Sequence, residues 1–171
     1  MTIIMTTKYQ EVPCIDISLA NLPGCPAPFR LVQQLCILFS PLPMNWNDSR
    51  EFCLNNNGRL IEIENEDKMN IINNEIGKGD FAAVWGFWLG LTDKANEGQW
   101  RWTESGKSLA YSNWLSGQPD NYGRKQHCAL IYISHENDII YNWTKGKWDD
   151  ENCNVVPNYH GKSINALCEK I

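Results

Sequence analysis

No two of the seven cysteines form a CxxC pair, and the three histidines at 127, 135 and 160 show no HExxH or HxxxH spacing. Zinc enzymes and dithiol redox sites therefore lack their usual spacing here. There is no run of basic residues, the net charge is -5 and the pI is near 5.2. Nucleic acid and anionic membrane attract positive surface, so neither is the expected partner. No apolar stretch reaches the ~18 residues that would span a bilayer. The first residues, MTIIMTTKYQEVPC, have no positive n-region and only a short apolar run, so they do not read as a signal peptide. No nucleophile–base pair and no phosphate loop stands out. The adjacent Asp149 and Asp150 would face opposite ways in a strand, which disfavours paired acid–base work. An enzyme is not the expected reading.

The chain of 171 residues is long enough for one domain with a substantial core, and eight tryptophans with 11% aromatics suit close packing. Cysteines scattered at 14, 25, 36, 53, 128, 153 and 168 fit structural disulfides, hence an oxidising, extracellular compartment. Two N-glycosylation sequons, at Asn47 and Asn142, agree with a secreted glycoprotein.

Residues 1–24 read as an irregular lead. Cys25 to Phe39 reads as a hairpin clipped by its own cysteines. A helix is expected from Asn45 to Asn57, capped by Asn45 or Asn47, with Trp46, Phe52 and Cys53 on one face. Arg59–Ile63 alternates like a strand, and Asn65–Ile76 reads as a second helix with Met69, Ile72 and Ile76 inward. Short strands follow at 87–91, 99–102, 128–133, 146–148 and 166–168. Between Thr92 and Cys128 runs a long Gly-, Asn-, Ser- and Asp-rich stretch. Loops of that length are usually functional or disordered; Trp100, Trp102, Tyr111 and Trp114 predict that this one packs in place.

Several stretches occur in the order seen in C-type lectin domains: Phe87-Trp-Leu-Gly-Leu-Thr-Asp93, Trp100-Arg-Trp102, Asn113-Trp114, Gln118-Pro119-Asp120 and Trp148-Asp-Asp-Glu-Asn-Cys153. Residues 25–171 resemble that family. The resemblance implies an α+β fold of two helices, small antiparallel sheets and a long calcium-binding loop. It also implies the disulfides Cys25–Cys36, Cys53–Cys168 and Cys128–Cys153. Cys14 is left over, a candidate tether to a partner chain.

By position in that family, Gln118, Asp120, Gln126, Asp149 and Asp150 are the calcium ligands, with a cis proline at Pro119. Calcium wants six to eight oxygens, and all five side chains carry one. Two positions depart from the family: Gln126 stands where a glutamate is usual, and Asp149 where an asparagine is usual. The two exchanges cancel in charge, leaving three carboxylates. Each sugar hydroxyl on the ion needs one carboxylate to accept and one amide to donate. Gln118 with Asp120, and Gln126 with Asp149, supply such pairs. The Gln-Pro-Asp order and Tyr122 at the stacking position imply galactose or N-acetylgalactosamine; the second exchange leaves a mannose-type arrangement open. A second family calcium site, at Asp93, Glu97, Asn121, Gln126 and His127, has lost carboxylates and is expected to be weak or empty. The implied function is a secreted calcium-dependent lectin whose partners are glycans. The alternative is a lectin-like protein-interaction or assembly module without sugar binding.

Overall fold

The computed structural model describes residues 24–78, 81, 83–133, 144–156, 158–159 and 162–171. Cys14 and the sequon at Asn142 lie outside them. Strands β1 (Arg30–Val32) and β2 (Leu35–Pro43) form the expected hairpin. Helix α1 (Trp46–Asn55) follows, then β3 (Gly58–Leu60) and helix α2 (Glu66–Ile76). Next come β4 (Val84–Thr92), β5 (Arg101–Trp102), β6 (Cys128–Tyr132) and β7 (Trp148–Glu151). Strands β8 (Asn158–Tyr159) and β9 (Lys162–Lys170) close the described chain.

Of the two cap candidates for the first helix the structure uses Asn45, and Asn65 caps the second. The Asn45 side chain accepts from the Asp48 N–H and Asn65 from the Lys68 N–H, each at 2.9 Å. Such caps satisfy amide groups the first turn leaves unpaired. Helix α1 buries Trp46, Ser49 and Cys53; α2 buries Met69, Ile71, Ile72, Glu75 and Ile76.

The small antiparallel sheets join into one. The strand order is β1-β2-β9-β4-β6-β7, with β3 and β8 also on β9 and β5 on β4. The junction is a parallel pairing of β4 with β9, from Val84 opposite Ser163 to Trp88 opposite Ala166. Along β4 the side chains alternate between two cores. Phe87, Leu89 and Leu91 face a cluster with α2, Trp100, Trp102 and Trp148, whereas Trp88 faces one with Trp46, Cys53 and Ala166. Strand β3 is shorter than the alternation predicts. It ends at Leu60, and Ile61, Glu62 and Ile63 are all buried. Gly146 is also outside any strand, at φ 70°, so β7 begins only at Trp148.

The three implied disulfides are all present. Cys53–Cys168 spans 115 residues; if loop closure of the unfolded chain is the mechanism, it contributes about 4–5 kcal/mol. Beside it lies a buried ion network. The Glu169 carboxylate takes Arg59 Nε at 2.9 Å and Lys68 Nζ at 2.5 Å. The buried Glu62 meets Arg59 at 3.2 Å and accepts from Ser105 N–H at 3.0 Å.

Gly90 sits where β4 passes closest to β3. A Cβ there would lie 2.8 Å from the Leu60 carbonyl oxygen, inside contact distance of rigid backbone. We expect Gly90→Ala to destabilise the domain by about 1–3 kcal/mol, with Gly24→Ala, which meets nothing within 4 Å, as the neutral control. Denaturant unfolding of the oxidised protein measures both.

Candidate functional site

The long loop is anchored on β7. Trp148 N–H donates to Asn113 O at 3.0 Å, and Leu115 N–H donates to Trp148 O at 2.8 Å. The Asn113 amide adds a bond to Gly146 O and accepts from Lys147 Nζ, both at 2.8 Å. Tyr111, Trp114 and Trp102 all set their rings edge-on to Trp148, with centroids 5.8–6.0 Å away. Trp148 immediately precedes Asp149 and Asp150, so the packing that fixes the loop also fixes these two carboxylates.

Asp150 is 1% exposed and binds the loop directly. Its two oxygens accept from Asp120 N–H at 3.0 Å and Asn121 N–H at 2.8 Å. The Tyr122 N–H is shared between Asp120 Oδ1 at 3.0 Å and Gln126 Oε1 at 2.7 Å. Asp120, Gln126 and Asp150 therefore converge on the backbone at 120–122. The Gln118–Pro119 peptide is cis. The Gln118 side-chain amide oxygen, Oε1, is buried and has no hydrogen-bond partner. Asp149 lies on the other face of β7, as period-2 alternation requires. Its carboxylate accepts from the Tyr132 hydroxyl and, at 2.9 Å, from Asp150 N–H. The part played by Tyr132 was not read from the sequence, because it depends on β6–β7 register.

Burial raises the Asp149 carboxyl from its ordinary 3.8 to about 6. The Tyr132 hydrogen bond opposes that shift, and the neighbouring Asp150 charge adds to it. Burial raises Asp150 as well, against the hydrogen bonds it accepts from Asp120 and Asn121. The ordered anions are thus held at some electrostatic cost, with no Lys or Arg side chain paired to either among the described residues. Tyr122 is 80% exposed beside them.

A second cluster lies at the end of β4. Asp93, 2% exposed, receives Gly98 N–H at 2.8 Å and faces His127 Nδ1 at 3.0 Å. Glu97 accepts from the Asn121 amide at 2.6 Å. Asp93 and Glu97 thus brace the loop. The Asn47 sequon occupies the first turn of α1. Its amide donates to Asn154 and accepts from Lys94 Nζ, both at 2.9 Å, and Ser49 is buried. A glycan at Asn47 would displace the bond to Asn154.

Residues 42–160 match the family model described as Lectin C-type domain. The chain belongs to the C-type lectin family. As a C-type lectin it is a binding domain and not an enzyme. It is 33% identical to a perlucin-like protein of Mytilus galloprovincialis over 122 residues, 70% of this chain and 77% of that protein. It is 32% identical to L-selectin of Mus musculus over 117 residues, 67% of this chain. That match spans only 28% of the selectin. Among solved structures, it superposes on the mouse scavenger receptor C-type lectin carbohydrate-recognition domain with a TM-score of 0.66 and 27% identity. That match covers 86% of this chain and 98% of the other. No described helix is long and apolar enough to cross a membrane.

The raised Asp149 carboxyl gives the lectin a pH-dependent stability in the absence of divalent ions. Its folded value, about 6, lies above its ordinary 3.8, so the folded state binds the proton more tightly. This contribution to stability is fully present below the ordinary value and is lost as pH rises through about 6. In chelator, Asp149→Asn is expected to gain stability relative to wild type at pH 8 but not at pH 3.5. Thermal unfolding of both proteins across that range checks it; parallel pH profiles would refute the assignment.

Proposed function

We propose that residues 25–171 form a secreted, calcium-dependent lectin of the galactose type. The observation that carries this reading is the buried, unpartnered side-chain amide oxygen, Oε1, of Gln118. A buried acceptor without a donor costs about 1–3 kcal/mol, and a hard cation that takes oxygen ligands would satisfy it. Gln118, Asp120, Gln126 and Asp150 would hold that calcium, and Asp149, on the other face of β7, would join them by turning from the Tyr132 hydroxyl. The three carboxylates supply the charge that calcium affinity depends on, and the burial that raises Asp149 and Asp150 is offset by an adjacent cation.

Bound calcium would supply a two-point anchor for a pair of vicinal hydroxyls. The chain's own part is to orient them. Gln118 with Asp120 offers one amide and one carboxylate, and Gln126 with Asp149 offers another. Exposed Tyr122 is available to cover the apolar face of galactose. The likeness to a domain titled for carbohydrate recognition supports the class of ligand. Cys14, in the lead, would tether a second chain, and paired sites would raise the avidity of weak single contacts.

Calorimetry is expected to detect one calcium in this site, lost in Asp149→Ala without loss of fold. Its affinity should fall about tenfold from pH 7 to pH 5, because one carboxyl near 6 must lose its proton to bind. Monosaccharides should bind only with calcium, at about millimolar Kd. Galactose should compete better than mannose, and Tyr122→Ala should weaken galactose by about 1 kcal/mol. Mannose preference would assign the site to the exchanged pairs instead, and a glycan array blank with and without calcium would favour a protein-interaction module.

A further inference from the structure

Among the five side chains assigned to calcium, Asp149 is the one held on the other face of β7, and the Tyr132 hydroxyl is the side-chain group that holds it there. Taking Asp149 as a calcium ligand, as proposed above, we propose that Tyr132 is a positioning residue: it latches Asp149 away from the ion and so sets how much calcium the lectin needs.

The contact follows from the register of β6 and β7. Leu130 stands opposite Asp149. Tyr132 is two residues further along β6, on the same face, and is therefore the diagonal neighbour of Asp149. A side chain as long as tyrosine spans that diagonal. Its hydroxyl donates to Asp149 Oδ2, and the Asp150 N–H donates to Oδ1 at 2.9 Å. The latch has a fixed base. The Tyr132 N–H donates to Lys147 O at 2.9 Å, and its carbonyl accepts from Gly146 N–H at 3.0 Å. Its ring meets Trp85 edge-on, with centroids 6.0 Å apart.

The other ligands already lie on the loop side. Asp150 is bonded to the backbone of 120 and 121, and Asp120 and Gln126 meet at the Tyr122 N–H. Gln118 Oε1 is buried without a partner. Asp149 alone must leave a side-chain hydroxyl to join them. A hydrogen bond to an ionised carboxylate is stronger than a neutral one, so leaving it is opposed. Apparent affinity falls with the fraction of molecules whose carboxylate is free to turn. The same hydroxyl satisfies the Asp149 carboxylate while calcium is absent. One bond thus steadies the calcium-free domain and weakens its hold on the ion.

The test is calcium calorimetry at a single pH on the intact, disulfide-bonded chain and on Tyr132→Phe. Phenylalanine keeps a ring against Trp85 and removes only the hydroxyl. Tyr132→Phe is expected to bind calcium about 10- to 100-fold more tightly, the range implied by losing one hydrogen bond to a charged group. A merely structural role has the opposite sign, because a loosened β6–β7 pair would weaken the site. In wild type enriched with carbon-13 at tyrosine Cζ, the Tyr132 resonance is assigned by its loss in Tyr132→Phe. That resonance should move as calcium saturates the site. Far-ultraviolet circular dichroism equal to wild type establishes that the variants fold. Unchanged or weaker calcium binding by folded Tyr132→Phe, or an unmoved Tyr132 resonance, overturns the latch. If Asp149→Ala loses calcium in the same series, the ligand reading stands while the latch falls. If wild type binds no calcium, or Asp149→Ala binds it undiminished, the ligand reading falls and the latch with it.

Discussion

Strand β9 is paired on both sides, to β2 and β4, and receives β3 and β8 at its ends. It is the C-terminal strand of the described chain, so most of the sheet is completed only by its last segment. Cys168 within it is bridged to Cys53 of α1, and Glu169 next to it collects Arg59 and Lys68. A buried charge is costly unless paired, and this pairing needs β9 in register with β3 and Lys68 of α2 within reach of Glu169. The two ends of the domain are thus bound by one register, Leu60 opposite Cys168 and Leu38 opposite the same residue.

The binding loop inherits its order from this frame through β4, β6 and β7. Trp148 takes three aromatic neighbours from the loop side and two backbone hydrogen bonds from Asn113 and Leu115. Asp150 then reaches across to residues 120 and 121. The loop has little regular structure, yet its ends and middle are fixed to a strand. A site of this kind is formed before ligand arrives, so less of the binding energy is spent on ordering.

Much of this was legible in the sequence. Asn45 was one of two asparagines that marked the start of the first helix, because an amide before an apolar-periodic run has a specific hydrogen bond to make; the second helix was legible from its periodicity, with Asn65 at its start. The cysteine pairs and the Gln118–Asp150 positions came from family resemblance, which carries three-dimensional information that periodicity lacks. Other features were hidden for physical reasons. Ile61, Glu62 and Ile63 look alternating, but Glu62 is buried by Arg59 and Ser105, partners remote from any local pattern. The parallel β4–β9 contact joins residues some 80 positions apart, from Val84 to Ser163. Tyr132 meets Asp149 only once β6 and β7 are in register. The orphaned oxygen of Gln118 is a property of packing, invisible in a string of letters.

Strand β7 is the last in the sheet order and would otherwise present an open row of backbone donors and acceptors. Residues 113–115 close part of that row by forming a parallel bridge with Trp148. Exposed sheet edges are templates for another chain. The loop that carries Asp120 therefore also covers part of the sheet edge, and a lesion that lifts it from Trp148 would open backbone groups of β7 to pairing with another chain.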